Sequence, residues 1–146
     1  MSNYVHYGQP SSADPNTKTI SDANPLPVNP SAGTSGGCTP YSNLDVQNTG
    51  VTPIKASAGQ LYHLFASNQA NADRWLKVYD KGSAATSGDT PVLRYKLPAL
   101  ASGTLLAVPT GVVFANGIAI RACVEQADGG NTAPTASDVT VDAAFK

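Results

Sequence analysis

Short bursts of alternating apolar and polar residues run through positions 44–146 and are nearly absent before them. Residues 92–97 set Leu93, Tyr95 and Leu97 on one face and Arg94 and Lys96 on the other, the two-residue period of a strand with one solvated face. Residues 118–124 point Ile118, Ile120, Ala122 and Val124 inward, and residues 139–145 do the same with Val139, Val141, Ala143 and Phe145. Residues 74–80 alternate Leu76 and Val78 against Trp75, Lys77 and Tyr79. Both faces of that strand carry large side chains, which predicts core on one side and a neighbour on the other. Residues 44–47, 51–57, 60–67, 105–108 and 112–115 complete the predicted strands.

Turn chemistry separates these runs: Asn48-Thr49-Gly50, Asp80-Lys81-Gly82, Pro109-Thr110-Gly111, Asn116-Gly117 and the polar stretch 126–138. No segment repeats apolar residues at i, i+3, i+4 and i+7 over three turns, and Glu125 is the only glutamate. The expected fold class is all-β: a single, jelly-roll-like β-sandwich of about eight or nine strands.

Residues 1–43 read differently. Pro10, Pro15, Pro25, Pro27, Pro30 and Pro40 are six of the chain's 11 prolines, set among Ser, Asn and Gly with few large apolar residues. Such a segment cannot build a core and is expected to form a long, extended N-terminal arm, with the sandwich domain at 44–146. Fixing a backbone costs roughly 1–2 kcal/mol per residue, so ordering the arm needs a long line of contacts. That requirement points to an assembly. The sparse apolar side chains Tyr4, Val5, Tyr7, Ile20, Leu26, Val28 and Tyr41 are the expected docking residues on partners.

Composition narrows the function classes. The net charge is -1 and the nine Lys and Arg are scattered in sequence, which argues against nucleic acid. No apolar run approaches the ~20 residues that cross a bilayer, and the first residues lack the layout of a signal peptide. The expectation is a soluble protein made in a cytoplasm, without membrane contact. Cys38 and Cys123 form no C-x-x-C or Cys/His cluster, so neither a disulfide framework nor a zinc site is expected.

Candidate chemistry is thin. Gly33-Thr34-Ser35-Gly36-Gly37 fits the G-x-S-x-G nucleophile elbow letter for letter. That elbow needs a strand before the serine, a helix after it and a histidine in reach, and here it sits in the arm. The segment reads as a linker, and no catalytic residue is assigned. His63 has no carboxylate or second histidine beside it in sequence and reads as a strand histidine. Asp128-Gly129-Gly130-Asn131-Thr132 offers oxygens that could wrap calcium but lacks the acidic repeat of an EF-hand, so no metal or cofactor is expected. Trp75 and Tyr79, two pleats apart on one strand face, suit the core or a subunit interface or, in a second reading, stacking against a sugar ring.

Four stretches carry a family resemblance. Lys55-Ala56-Ser57-Ala58-Gly59-Gln60-Leu61-Tyr62 followed by Asn68, Leu76-Lys77-Val78-Tyr79-Asp80, Asp89-Thr90-Pro91-Val92, and Gly111 through Phe114 to Asn116-Gly117-Ile118 resemble, in order, small structural proteins of tailed-phage virions. The likeness spans about Leu44 to Phe145. It implies a β-sandwich that decorates or cements a capsid, commonly as a homotrimer, with the major capsid protein and copies of itself as partners and no catalytic residues. His63 departs from it, because a small residue is expected after the Leu-Tyr pair, and the departure suggests a subunit interface. The expected function is therefore a virion structural protein on the capsid surface, its arm stapling neighbours. The alternative is a host-recognition or carbohydrate-binding module of a tail fibre or spike.

Overall fold

A computed structural model of the chain describes residues 37–146. They form seven strands: β1 (Thr39–Asn43), β2 (Gly59–Asn68), β3 (Arg74–Asp80), β4 (Leu93–Leu97), β5 (Ser102–Phe114), β6 (Ile118–Cys123) and β7 (Val139–Phe145). Every pairing is antiparallel, in a four-stranded sheet ordered β1-β7-β2-β5 and a three-stranded sheet ordered β4-β3-β6. The described residues are thus all-β, as the alternation predicts, with the inner faces of both sheets in one core. Leu61, Leu64, Phe114, Val139 and Val141 come from the larger sheet, and Leu76, Val78, Ile118 and Ile120 from the smaller. Each large side chain buried there contributes about 1.5–3 kcal/mol.

Two of the expected strands do not form. Residues 44–57 contain only an isolated bridge, Lys55 to Ile118, yet they sink Val46, Val51 and Ile54 into the core. The segment crosses between sheets: the Val46 amide donates to Val139 O of β7 at 2.9 Å, and Gln47 O accepts from Ala122 of β6 at 3.0 Å. It therefore runs along the free side of β6 and satisfies part of its ladder. Pro53, which has no amide to give a ladder, and Gly50 at φ 71° break it into an irregular strap.

Residues 105–108 and 112–115, expected as two strands, are largely one. Pro109-Thr110-Gly111 is a bulge inside the 13-residue β5, because the register jumps from Leu61↔Val112 to His63↔Ala107. Gly111 has φ 73°, and a Cβ there would lie 3.1 Å from the Tyr62 ring. The chain gives its extra residues to the bulge instead of reversing.

The arm boundary also moves. Thr39–Asn43, assigned to the arm by composition, is a sheet strand in register with β7 from Thr39↔Phe145 to Asn43↔Val141. Pro40 is tolerated because β1 is an edge strand. The ordered domain therefore begins before residue 44. At the end of β2, the buried Asn68 gathers the neighbouring loops: its amide nitrogen donates to Ala72 O, Leu97 O and Pro98 O at 2.9–3.0 Å, and its side-chain oxygen accepts from the Ala70 amide.

Candidate functional site

The outer face of the smaller sheet collects most of the unusual chemistry. Arg94 and Lys96 lie on β4, Trp75, Lys77 and Tyr79 on β3, and Ala119, Arg121 and Cys123 on β6. Register aligns three cations across the strands, with Lys77 directly opposite Arg94 on one side and Arg121 on the other. Four of the nine Lys and Arg thus share one face. Charges scattered in sequence are clustered in space, because β-pairing brings together positions 77, 94 and 121.

This face is covered. Lys77 and Arg121 have no solvent exposure, and Tyr79 packs with Ala85 and Ala119. The cover over the cations is the glycine-containing turn after β6. Lys77 Nζ donates to Ala127 O, and Arg121 donates through Nε to Asn48 O and through Nη2 to Gly130 O and Asn131 Oδ1, both at 2.8 Å. The oxygen-rich loop that suggested calcium does wrap cations, and they are the sheet's own side chains.

No carboxylate lies within ion-pair distance of Lys77 or Arg121 among the described residues. The nearby acids are engaged elsewhere. Asp128 makes a two-pronged pair with Arg94, whose guanidinium holds that carboxyl below the usual range. Glu125 accepts from the Thr132 hydroxyl and amide, which lower its pKa likewise. Burial pushes the Tyr79 phenol up, against the opposing pull of Arg121 beside it. The Tyr79 hydroxyl and Arg121 Nη1 are both buried without a hydrogen-bond partner among the described residues.

The second candidate surface is the open side of the larger sheet. Among the described residues β5 is an edge strand, paired only with β2, and bears the exposed Val113. At its start, Ala66, Leu97, Pro98, Ala101, Gly103 and Leu105 line a mainly apolar groove of about 230 Å³. His63 lies half-buried on β2, opposite Ala107 of β5 and Ala144 of β7, with Nε2 3.5 Å from the Thr104 hydroxyl.

The expected partner-binding residues divide. Tyr4, Val5, Tyr7, Ile20, Leu26 and Val28 lie outside the described residues, as do His6 and Ser35. Tyr41 is a β1 residue packed against the domain's own core, its hydroxyl donating to Thr52 O at 3.2 Å. It docks within its own domain, not along an arm. Tyr79 is buried by its own chain, which fits the core reading of that residue and not the partner-binding one, whereas Trp75 is half-buried. Cys38 is exposed and Cys123 buried, and both are free thiols.

Sequence reasoning missed the paired cations. The available signal was a lone cation between core residues at mid-strand, in Leu76-Lys77-Val78 and Ile120-Arg121-Ala122. No group of three or more His, Cys, Asp or Glu is placed to hold a metal among the described residues, and no helix among them is long and apolar enough to cross a membrane. No family model, curated protein or solved structure matches the chain.

Proposed function

We propose that the chain is a structural protein of a phage virion, decorating and stabilising the capsid through contacts with the major capsid protein and with copies of itself. The observation that carries this reading is the junction at residue 37. A Pro-rich segment of 36 residues precedes β1 in sequence, and β1 is an edge strand paired with β7 at five register positions. A staple formed by that segment would load the sheet through β1. Fully extended, it could reach about 120 Å from the domain that bears it. The work is mechanical: interface repeated by symmetry, with each arm adding avidity.

The long edge of β5, with its groove and the exposed Val113, supplies a surface suited to lateral contact. The glycan-binding alternative needs Trp75 and Tyr79 as an exposed platform, and the burial of Tyr79 removes half of it. The test is to add the protein, whole or lacking residues 1–36, to capsids stripped of it and to count bound copies. Loss of binding or of shell protection in the shortened form supports the stapling role. Equal binding and protection by both forms rules it out, and binding to glycans but not capsids favours the alternative.

A further inference from the structure

We propose that the outer face of the β4-β3-β6 sheet is a binding site for a small tetrahedral oxyanion of the phosphate class, held by Lys77, Tyr79 and Arg121 beneath residues 126–131. Two like charges directly opposite each other on paired strands repel, and burying each costs several kcal/mol unless an anion accompanies it. Lys77 and Arg121 combine both penalties. Their carbonyl partners satisfy hydrogen bonds but carry no compensating net charge.

The unused donors sit together. Arg121 spends Nε and Nη2 on loop oxygens, while its Nη1 and the Tyr79 hydroxyl beside it are buried and meet no partner in hydrogen-bonding geometry among the described residues. Lys77 makes one hydrogen bond with an ammonium that has three protons to give. Donors from three side chains suit the separate corners of a tetrahedral oxyanion better than the two oxygens of a planar carboxylate. Entry is from the outer end of the row, where Asp128 sits half-exposed on Arg94 as a built-in anion. The incoming ion exchanges with that carboxylate as 126–131 lifts.

The proposal stands on this face alone and is independent of any role on a capsid. The test is thermal unfolding of the full chain in millimolar sodium phosphate against sodium chloride of equal ionic strength. The expected result is a phosphate-specific rise in Tm of about 4 °C or more near saturation. Tyr79→Phe, which removes an unpaired hydroxyl and retains the ring, should fold and show less than half that rise. Asp128→Asn, which removes the competing carboxylate, should show a larger one. General salt effects on burial act equally on all three proteins. No rise beyond chloride in the wild type, an undiminished rise in Tyr79→Phe or a smaller one in Asp128→Asn overturns the site. An equal rise with acetate overturns the tetrahedral assignment.

Discussion

Lys77 and Arg121 face each other across β3 and β6 as direct register partners, both without solvent exposure. Their roles differ in what removal leaves behind. Arg121→Met strips donors from Asn48 O, Gly130 O and Asn131 Oδ1, and should cost about 2–4 kcal/mol. Lys77→Met loses one bond to Ala127 O but also removes a buried charge, so its effect should stay within about 1 kcal/mol and could be stabilising. Denaturant unfolding of both single variants and the double variant checks this. The double variant should depart from additivity, because the lysine loses its repulsive partner when the arginine is gone.

Two glycines with positive φ separate conformational freedom from close approach. Gly50, at φ 71°, has open space where a Cβ would go, so Gly50→Ala should cost only about 1 kcal/mol. Gly117, at φ 150° in the β5–β6 turn, would place a Cβ 2.5 Å from Gly82 Cα and 2.8 Å from Lys55 O. Backbone cannot swing aside as a side chain can. Gly117→Ala should therefore cost about 3 kcal/mol or more, with a clear gap between the two melting temperatures.

Asp89 links stability to acid. Its Oδ2 accepts from Lys81 Nζ at 2.6 Å and from the Thr86 amide and hydroxyl at 2.8 and 2.9 Å. Led by Lys81, these bonds lower its pKa from 3.8 to about 2. A carboxyl depressed in the folded state contributes stability above its unfolded pKa and loses it as pH falls through the folded one. The window is therefore pH 4 to 2. Asp89→Asn should melt below the wild type at pH 6, by an amount kept under about 1 kcal/mol by solvent screening, and the gap should close by pH 2.

What was legible in the chain follows from period and burial. β4 was readable because Arg94 and Lys96 meet solvent or surface acids, giving a clean two-residue alternation. β6 was readable as a strand but not as one buried on both faces, because its second cover is the polar loop after it. β1 was hidden by composition, since Thr39, Ser42 and Asn43 look like linker and an edge position excuses Pro40. Pro109-Thr110-Gly111 has turn chemistry, and only the partner strand reveals that Tyr62 lies against a bulge. The candidate site was invisible for a related reason. Residues 77, 94 and 121 become neighbours only through register, which no local pattern encodes.

Moving the boundary of the arm yields a sharp expectation about truncation. Deleting residues 1–36 leaves β1 intact and should leave the melting temperature of the domain nearly unchanged. Deleting residues 1–43 removes all five β1–β7 register pairs and the Tyr41 ring from the core margin. That form should melt at least ~10 °C lower or fail to fold. Thermal melts of the two shortened proteins followed by circular dichroism decide the matter. Only the shorter deletion is a fair probe of what the arm does on a capsid, because the longer one confounds loss of the arm with loss of a strand.

Cys123 offers a reporter for the cover over the cationic face. Its thiol is fully buried, donates to Glu125 O at 3.2 Å, and shares a strand face with Arg121, whereas Cys38 is exposed. In a Cys38→Ser background, thiol labelling should be slow and limited by opening of the segment after β6, not by global unfolding. At its outer end that segment is held by the pair between Arg94 and Asp128, and further in by hydrogen bonds from Lys77, Arg121 and Asn48 and between Thr132 and Glu125. Surface pairs of this kind are screened by solvent and contribute little, so Asp128→Asn should speed labelling by up to roughly fivefold while moving the denaturant midpoint little. Labelling that tracks the global unfolding rate in both proteins would show that the segment and the sheet open as one unit. An increase confined to Asp128→Asn would identify the segment as a separately moving cover whose opening begins at the Arg94 end of the row.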